Sequence, residues 1–218
     1  MPMALYKLSP SSLNLMNECP RCFWLDKHNV WQRPDGIFPS LPSGMDSILK
    51  KHFDRFREKG ELPPEIRNNE HTKGLKLFND TELLKIWRNN TKGIRWSDEQ
   101  GNVLSGAVDD ILVKDKKLIV FDYKTRGFSL KKDTADHYQN QLDIYNLLLR
   151  KNNYETEDYA FLLFYYPKDV QNDGMIAFHN LLVRREVDVK NAQDIFDKGI
   201  KILNGDCPKE SCKWCEKR

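Results

Sequence analysis

Apolar residues recur at intervals of three and four in several parts of the chain, which is the spacing of one buried helix face. The segments with this pattern are residues 9–25, 44–59, 83–87, 134–150 and 190–203. The first opens with Ser9-Pro10-Ser11-Ser12, where capping hydroxyls and a proline suited to a first turn indicate a helix start. Residues 32–43 contain three prolines and residues 60–73 are polar, so both are predicted to be irregular connections.

The middle of the chain has a different pattern. Residues 93–97, 103–113 and 118–123 are rich in β-branched and aromatic residues and are separated by polar turns, which predicts an antiparallel meander. Residues 159–166 and 175–187 are again typical of strands. The order helix, meander, helix, strands, helix predicts an α/β or α+β fold with a mixed central sheet flanked by helices. We expect one domain over residues 1–218, divided into a helical part (1–92), a core (93–188) and a C-terminal helix with a cysteine tail (189–218).

Composition and charge exclude several classes of protein. Thirty-five basic and thirty-two acidic residues give a formal net charge of +3, which excludes a strongly cationic histone-like protein but allows a local basic groove. Basic residues concentrate at Lys124, Arg126, Lys131 and Lys132, as either a solvated surface or part of such a groove. No apolar run approaches the roughly 20 residues of a membrane helix, and the first residues lack the apolar core of a signal peptide. We therefore expect a cytoplasmic protein without a membrane segment.

Two neighbouring predicted strands carry acidic residues in an apolar context. Side chains alternate along a strand, so Asp122 and Lys124 share one face, and a short hairpin brings Asp109 beside Asp122. Two carboxylates this close repel each other unless a cation lies between them, and a divalent ion with oxygen ligands meets that need. Lys124 would then orient a water molecule or stabilise charge, although a simple Asp122–Lys124 salt bridge is the alternative. Alternation places Asp110 on the opposite face, where we expect substitution to be tolerated better.

The next predicted helix carries polar residues at four-residue spacing. His137, Gln141 and Tyr145 fall on one helix face, which either is solvated or lines the same cleft as the carboxylates.

Taken in order, these motifs resemble those of the PD-(D/E)XK nucleases, in particular the RecB-type branch. The matching segments are Gly106-Ala107-Val108-Asp109, Asp122-Tyr123-Lys124 and Gln141-Leu142-Asp143-Ile144-Tyr145, and residues 9–25 are similar to the first helix of that branch. The resemblance implies a nuclease that cuts DNA phosphodiesters with Mg²⁺ or Mn²⁺. It implies that Asp109 and Asp122 bind the metal, with Lys124 as the catalytic lysine.

The resemblance also implies further roles. The backbone carbonyl of Tyr123 completes the metal shell, and Gln141 and Tyr145 position the DNA or the active-site groups. Members of the family often place a further metal ligand, His or Glu, in an early helix a few residues after a glycine. The segment after Gly44 lacks the usual spacing, so Asp46 and His52 are candidates there, with surface positions on an amphipathic helix as the alternative for each.

The cysteines occur only near the two ends of the chain. Cys19 and Cys22 form one CxxC pair, Cys212 and Cys215 form another, and Cys207 lies five residues upstream of the second pair. Four thiolates from two such pairs suit either Zn²⁺ or an iron–sulfur cluster. The resemblance, which extends to AddB-type helicase–nucleases and to nucleases of CRISPR spacer acquisition, implies a [4Fe–4S] cluster held by one N-terminal and three C-terminal cysteines. A two-plus-two set would leave Cys207 free.

The sequence thus predicts a Mg²⁺- or Mn²⁺-dependent deoxyribonuclease whose termini are joined by a cysteine-bound metal. By the resemblance, its substrate is single-stranded or end-bearing DNA, cut in an exonuclease-like manner during repair, recombination or CRISPR-type DNA processing. The alternative is a non-catalytic nucleic-acid-binding module built on a nuclease-like core. The presence of Asp109, Asp122 and Lys124 together argues against that alternative, since the loss of any one would suffice to end catalysis.

Overall fold

A computed structural model describes residues 5–34, 36 and 39–216 of the chain. Part of the connection predicted at 32–43, together with residues 1–4 and 217–218, lies outside the described residues. The α-helices of the described part are α1 (Pro10–Glu18), α2 (Pro20–Lys27), α3 (Ser40–Glu58), α4 (Pro64–Arg67), α5 (Thr81–Trp87), α6 (Gln139–Lys151) and α7 (Val189–Leu203). Its strands are β1 (Lys7–Leu8), β2 (Lys76–Leu77), β3 (Ile94–Ser97), β4 (Val103–Gly106), β5 (Asp110–Lys114), β6 (Lys117–Thr125), β7 (Tyr159–Val170) and β8 (Ile176–Glu186). None of these helices is long and apolar enough to cross a bilayer.

The strands form two sheets. The larger has the order β2-β5-β6-β7-β8, and the smaller has the order β1-β4-β3. In the larger sheet β5 and β6 form an antiparallel hairpin, β6 and β7 run parallel across the α6 crossover, and β7 and β8 are antiparallel. The mixed central sheet flanked by helices that the sequence predicts is confirmed.

The central strands of the larger sheet, β5, β6 and the first half of β7, are buried on both faces, and alternation along them divides the core in two. Val120 and Leu162 face the side covered by α6 and α7, where they pack with Leu148 and Phe196. Phe121, Phe161 and Leu163 face the side covered by α3, where Phe53 is fully buried. Asp122 follows Phe121 and therefore belongs to the α6 side, whereas Tyr123 belongs to the α3 side.

The structure differs from the predicted elements in several details. The connection predicted at 60–73 contains the short helix α4, and α6 begins at Gln139 rather than at residue 134. The helix predicted over 9–25 is two helices, because Pro20 has no N–H for a continuing helix and instead starts α2 after Cys19. The strand predicted over 103–113 is broken between Gly106 and Asp110, so that β4 and β5 belong to different sheets. Helix α3 begins at Ser40 rather than Gly44, since Pro42 lies in its first turn, where a proline breaks no backbone hydrogen bond.

Candidate active site and cysteine cluster

Asp109 and Asp122 meet where the β5–β6 hairpin reaches the open end of β6. Asp110 pairs with Phe121 in the hairpin, so the preceding residue, Asp109, lies beside Asp122. The backbone N–H of Tyr123 donates a hydrogen bond to Asp109 Oδ2 at 3.0 Å, which fixes that carboxylate against β6. The structure therefore brings the two predicted carboxylates together.

Asp122 is buried, with a relative exposure of 1%. Burial, reinforced by the negative charge of Asp109, raises the pKa of Asp122 to about 7. The Lys124 ammonium forms an ion pair with Asp122 Oδ2. A buried carboxylate is costly to keep charged without a cation beside it, so Asp122 is suited to bind one.

Lys124 is held from three sides. Besides its ion pair with Asp122, its Nζ donates a hydrogen bond to Gln141 Oε1 at 3.1 Å and lies 4.6 Å from the centre of the Tyr138 ring. Burial opposes the charge of Lys124, but Asp122 and Asp109 outweigh it and raise the pKa of the lysine above its usual value. Lys124 is therefore an ammonium with a fixed direction.

Gln141 and Tyr145 extend this contact along α6. Gln141 Nε2 donates to the Tyr145 hydroxyl at 2.8 Å, so Lys124, Gln141 and Tyr145 form one hydrogen-bonded series. The Tyr145 ring packs against Gly106, where a Cβ atom would lie only 2.6 Å from Tyr145 Cε1. The Gly-x-x-Asp motif thus needs a glycine here, because a side chain at this position would clash with the Tyr145 ring. His137, by contrast, lies exposed in a 3-10 turn that precedes α6.

A cavity of about 320 Å³ adjoins this series. Gln141 and Tyr145 form one wall, Gly106 and Ala107 another, and the start of α1 at Ser11 a third. Lys92 stands at the same cavity, and no ion pair engages it within the part of the chain that the structure describes.

The two early-helix candidates have different surroundings. Asp46 Oδ2 lies 2.8 Å from Lys50 Nζ, and Lys50 Nζ also lies 3.0 Å from Asp109 Oδ1, so Asp46 belongs to the carboxylate site. His52 instead hydrogen-bonds Glu65 at 2.9 Å, and Glu65 also accepts from the Tyr165 hydroxyl. Asp46 and His52 are six residues apart, which places them on different faces of α3.

Lys50 is a site residue that sequence reasoning missed. Its side chain is mostly buried, and although burial opposes its charge, Asp109 and Asp46 raise its pKa above the usual value. The one available signal was the four-residue spacing of Asp46 and Lys50, which puts both on the same helix face.

A second missed feature is a charged network behind the site. Asp110 is fully buried and accepts hydrogen bonds from Arg57 at 2.6 and 2.7 Å, from Arg88 at 2.9 Å and from the Tyr123 hydroxyl at 2.6 Å. Asp110 does point away from Asp109, as alternation predicts. The structure argues against the expectation that it tolerates substitution, because it is the buried partner of two guanidinium groups.

The cysteines of the two chain ends meet beside α1 and α2. The sulfur atoms of Cys19, Cys22, Cys212 and Cys215 all lie within 4.8 Å of one another. Three of their separations are 3.8 Å (Cys19–Cys215), 3.5 Å (Cys22–Cys212) and 3.9 Å (Cys212–Cys215). The pKa of Cys212 is lowered to about 6. Burial opposes this shift, and hydrogen bonds from the backbone N–H groups of Trp214 and Cys215 contribute to it.

The structure thus assembles the two-plus-two set. Cys207 lies outside this group and packs at its edge, with its sulfur 3.8 Å from the Pro208 carbonyl oxygen.

Comparison with known proteins identifies the family of this chain. Curated protein sequences contain no significant match to this chain. A solved structure titled "Crystal structure of SSO0001" is 15% identical, over 98% of this chain and 84% of that one, with a TM-score of 0.46. The family model described as the PD-(D/E)XK nuclease superfamily matches residues 7–218. The chain therefore belongs to the PD-(D/E)XK nuclease superfamily, and this membership suggests a metal-dependent nuclease acting on nucleic acid.

Proposed function

We propose that this protein hydrolyses DNA phosphodiester bonds with Mg²⁺ or Mn²⁺ at Asp109 and Asp122. The observation that carries the proposal is the meeting of these two carboxylates with Lys124 at one end of the central sheet. An all-oxygen donor set suits Mg²⁺ or Mn²⁺, and Asp46 and the Tyr123 carbonyl are further candidate ligands. When bound, the ion supplies a nucleophilic water and neutralises charge on the phosphate.

Lys124 is proposed to stabilise negative charge on the reacting phosphate. Its raised pKa supports this role over that of a general base, since an ammonium has no lone pair with which to accept a proton. Gln141 and Asp122 hold the ammonium in place before the substrate arrives, and such preorganisation is what makes electrostatic stabilisation effective.

The substrate is proposed to be single-stranded or end-bearing DNA, cut in an exonuclease-like manner. The cavity beside Gln141 supports this choice, because its volume of about 320 Å³ is in the range of small-molecule sites and so suits one unpaired nucleotide. A base within a duplex would first have to leave its stack to enter such a cavity.

The test compares cleavage of labelled single-stranded and duplex DNA with Mn²⁺, with Mg²⁺ and with EDTA. We expect metal-dependent cleavage by the wild type, and a loss of at least about 100-fold in Asp109→Asn, Asp122→Asn and Lys124→Met. Asp115→Asn is the matched control, since Asp115 is an exposed acid at the other end of the same hairpin. Undiminished cleavage by Asp122→Asn would refute the assignment. If the wild type binds DNA but does not cleave it, the result would favour a non-catalytic module.

We further propose that Cys19, Cys22, Cys212 and Cys215 bind one Zn²⁺ rather than a [4Fe–4S] cluster. Four thiolates at the usual Zn–S distance of about 2.3 Å form a tetrahedron with edges of about 3.8 Å. The observed separations of 3.5, 3.8 and 3.9 Å support this arrangement. In a cubane cluster each thiolate binds a different iron atom, so the four sulfurs lie farther apart.

Metal analysis of protein purified without oxygen tests the zinc proposal. We expect one zinc atom per chain in a colourless protein, retained in Cys207→Ser and lost in Cys215→Ser. Cys215→Ser should also melt at a lower temperature, because a structural zinc site contributes its binding energy to folding. A brown protein that contains iron and loses it in Cys207→Ser would show that the one-plus-three cluster is correct.

A further inference from the structure

The ammonium of Lys50 lies between two carboxylates of the candidate metal site. Its Nζ is 2.8 Å from Asp46 Oδ2 and 3.0 Å from Asp109 Oδ1, and its side chain is only 21% exposed. Asp46 and Lys50 are one turn apart in α3, so the helix presents a carboxylate and an ammonium together to Asp109.

Lys50 engages one of the two oxygens that Asp109 offers to a metal ion. That oxygen is Oδ1, whereas Oδ2 accepts the hydrogen bond that fixes the carboxylate to the Tyr123 backbone. A divalent ion on Oδ1 would lie within a few ångström of the ammonium, and like charges repel strongly at that distance away from bulk water. Lys50 and the metal ion therefore compete for the same carboxylate.

The charges of the site explain why such a lysine is present. When all three are ionised, Asp46, Asp109 and Asp122 bring three negative charges together, and Lys50 and Lys124 compensate two of them. Without Lys50, three carboxylates would share a single lysine, and their repulsion would oppose assembly of the site before a metal ion binds.

We propose that Lys50 is an internal counter-ion of the metal site, which holds Asp46 and Asp109 in place and is displaced from Asp109 Oδ1 when the divalent ion binds. This inference rests on the proposed nuclease site, and it makes Lys50 a positioning residue that acts through Asp109. The cation concentration at which the site fills is then set in part by the free energy of the Lys50–Asp109 ion pair.

The test is a calorimetric titration of Mn²⁺ into the full chain at pH 8 in the absence of DNA. We expect Lys50→Met and Lys50→Gln to bind Mn²⁺ more than about tenfold tighter than the wild type, because the competing ammonium is removed. Lys50→Arg keeps the charge and should bind as weakly as the wild type. Lys51→Met is the matched control, since Lys51 is the next residue of α3 and forms no ion pair among the described residues.

A lysine with only a structural role gives the opposite result. Its loss would distort the carboxylates and leave Mn²⁺ affinity unchanged or weaker, in Lys50→Met and Lys50→Gln alike, and that outcome would overturn the inference. A second readout is the rise in melting temperature on adding Mn²⁺, which should be larger in Lys50→Met than in the wild type.

The DNA cleavage assay tests the proposed function, and the Mn²⁺ titration tests the role of Lys50 separately. If the wild type binds Mn²⁺ but cuts no DNA, the nuclease proposal fails while the competition between Lys50 and the metal stands on the titration. If the wild type cuts DNA and Lys50→Met binds Mn²⁺ no more tightly than Lys51→Met, the nuclease proposal stands and the role of Lys50 is refuted.

Discussion

Replacing Asp110 by asparagine removes one charge from the centre of a buried network while nearly preserving its shape. Asp110 is fully buried, and the side chain of Arg57 is only 3% exposed. Asp54 and Asp110 together balance the charges of Arg57 and Arg88, so the substitution leaves a net positive charge in the interior.

The expected cost follows from burial. Breaking a buried ion pair by removing one partner typically destabilises a protein by about 3–5 kcal/mol, because the remaining charge has neither water nor a counter-ion. Asp54→Asn removes the same charge from the same network, but the Asp54 side chain is 43% exposed, so water can solvate what remains. Its loss should cost about 1 kcal/mol or less.

The free energy of unfolding is measured by urea denaturation at pH 7.5, followed by tryptophan fluorescence. We expect a loss of about 3–5 kcal/mol in Asp110→Asn and a much smaller loss in Asp54→Asn. Equal and small losses in both variants would refute the view that the network is held together by charges that water cannot reach.

Three other outcomes follow from the site. Gly106→Ala places a Cβ atom 2.6 Å from the Tyr145 ring, so we expect reduced cleavage and a loss of about 1–3 kcal/mol in the free energy of unfolding. Gly127→Ala is the control, since its Cβ atom would meet no atom within 4 Å, and it should have neither effect. Asp122 holds its proton to about pH 7 in the folded chain but only to about pH 4 when unfolded, so stability is lost as pH rises through that range. In thermal unfolding with EDTA, the melting temperature of the wild type should fall relative to that of Asp122→Asn between pH 4 and 7. Parallel curves of melting temperature against pH would contradict this. The double substitution Lys131→Glu and Lys132→Glu should weaken DNA binding for all sequences. The slope of log K against log salt concentration should become shallower by about 0.7 for each phosphate of a single strand that the protein no longer neutralises. An unchanged slope would show that this loop does not contact the DNA.

Local patterns were sufficient to predict one part of the site. Alternation along β6 places Asp122 and Lys124 on one face, and the short hairpin brings Asp109 to them, because both rules act within a few residues of the chain. The spacing of Gln141 and Tyr145 likewise predicts their shared helix face, which the hydrogen bond between them reflects.

Other parts depend on pairings between distant segments. Arg57 and Arg88 reach Asp110 from α3 and from the end of α5, and no pattern near Asp110 indicates that two cations will surround it. Lys50 resembles the other lysines of an amphipathic helix until the fold brings α3 against the end of β5. The break at Pro20 is a different case, since the proline itself was a sufficient signal for two helices.

The position of bound Mn²⁺ tests the central claim most directly. Crystals grown with Mn²⁺ and measured near the manganese absorption edge locate the ion by its anomalous scattering, independently of any activity. We predict a peak in contact with Asp109 and Asp122, with Lys124 beside it and the Lys50 ammonium no longer on Asp109 Oδ1. A well-ordered site that contains Asp109 and Asp122 but has no such peak at saturating Mn²⁺ would contradict the assignment of these residues to a metal-dependent nuclease centre.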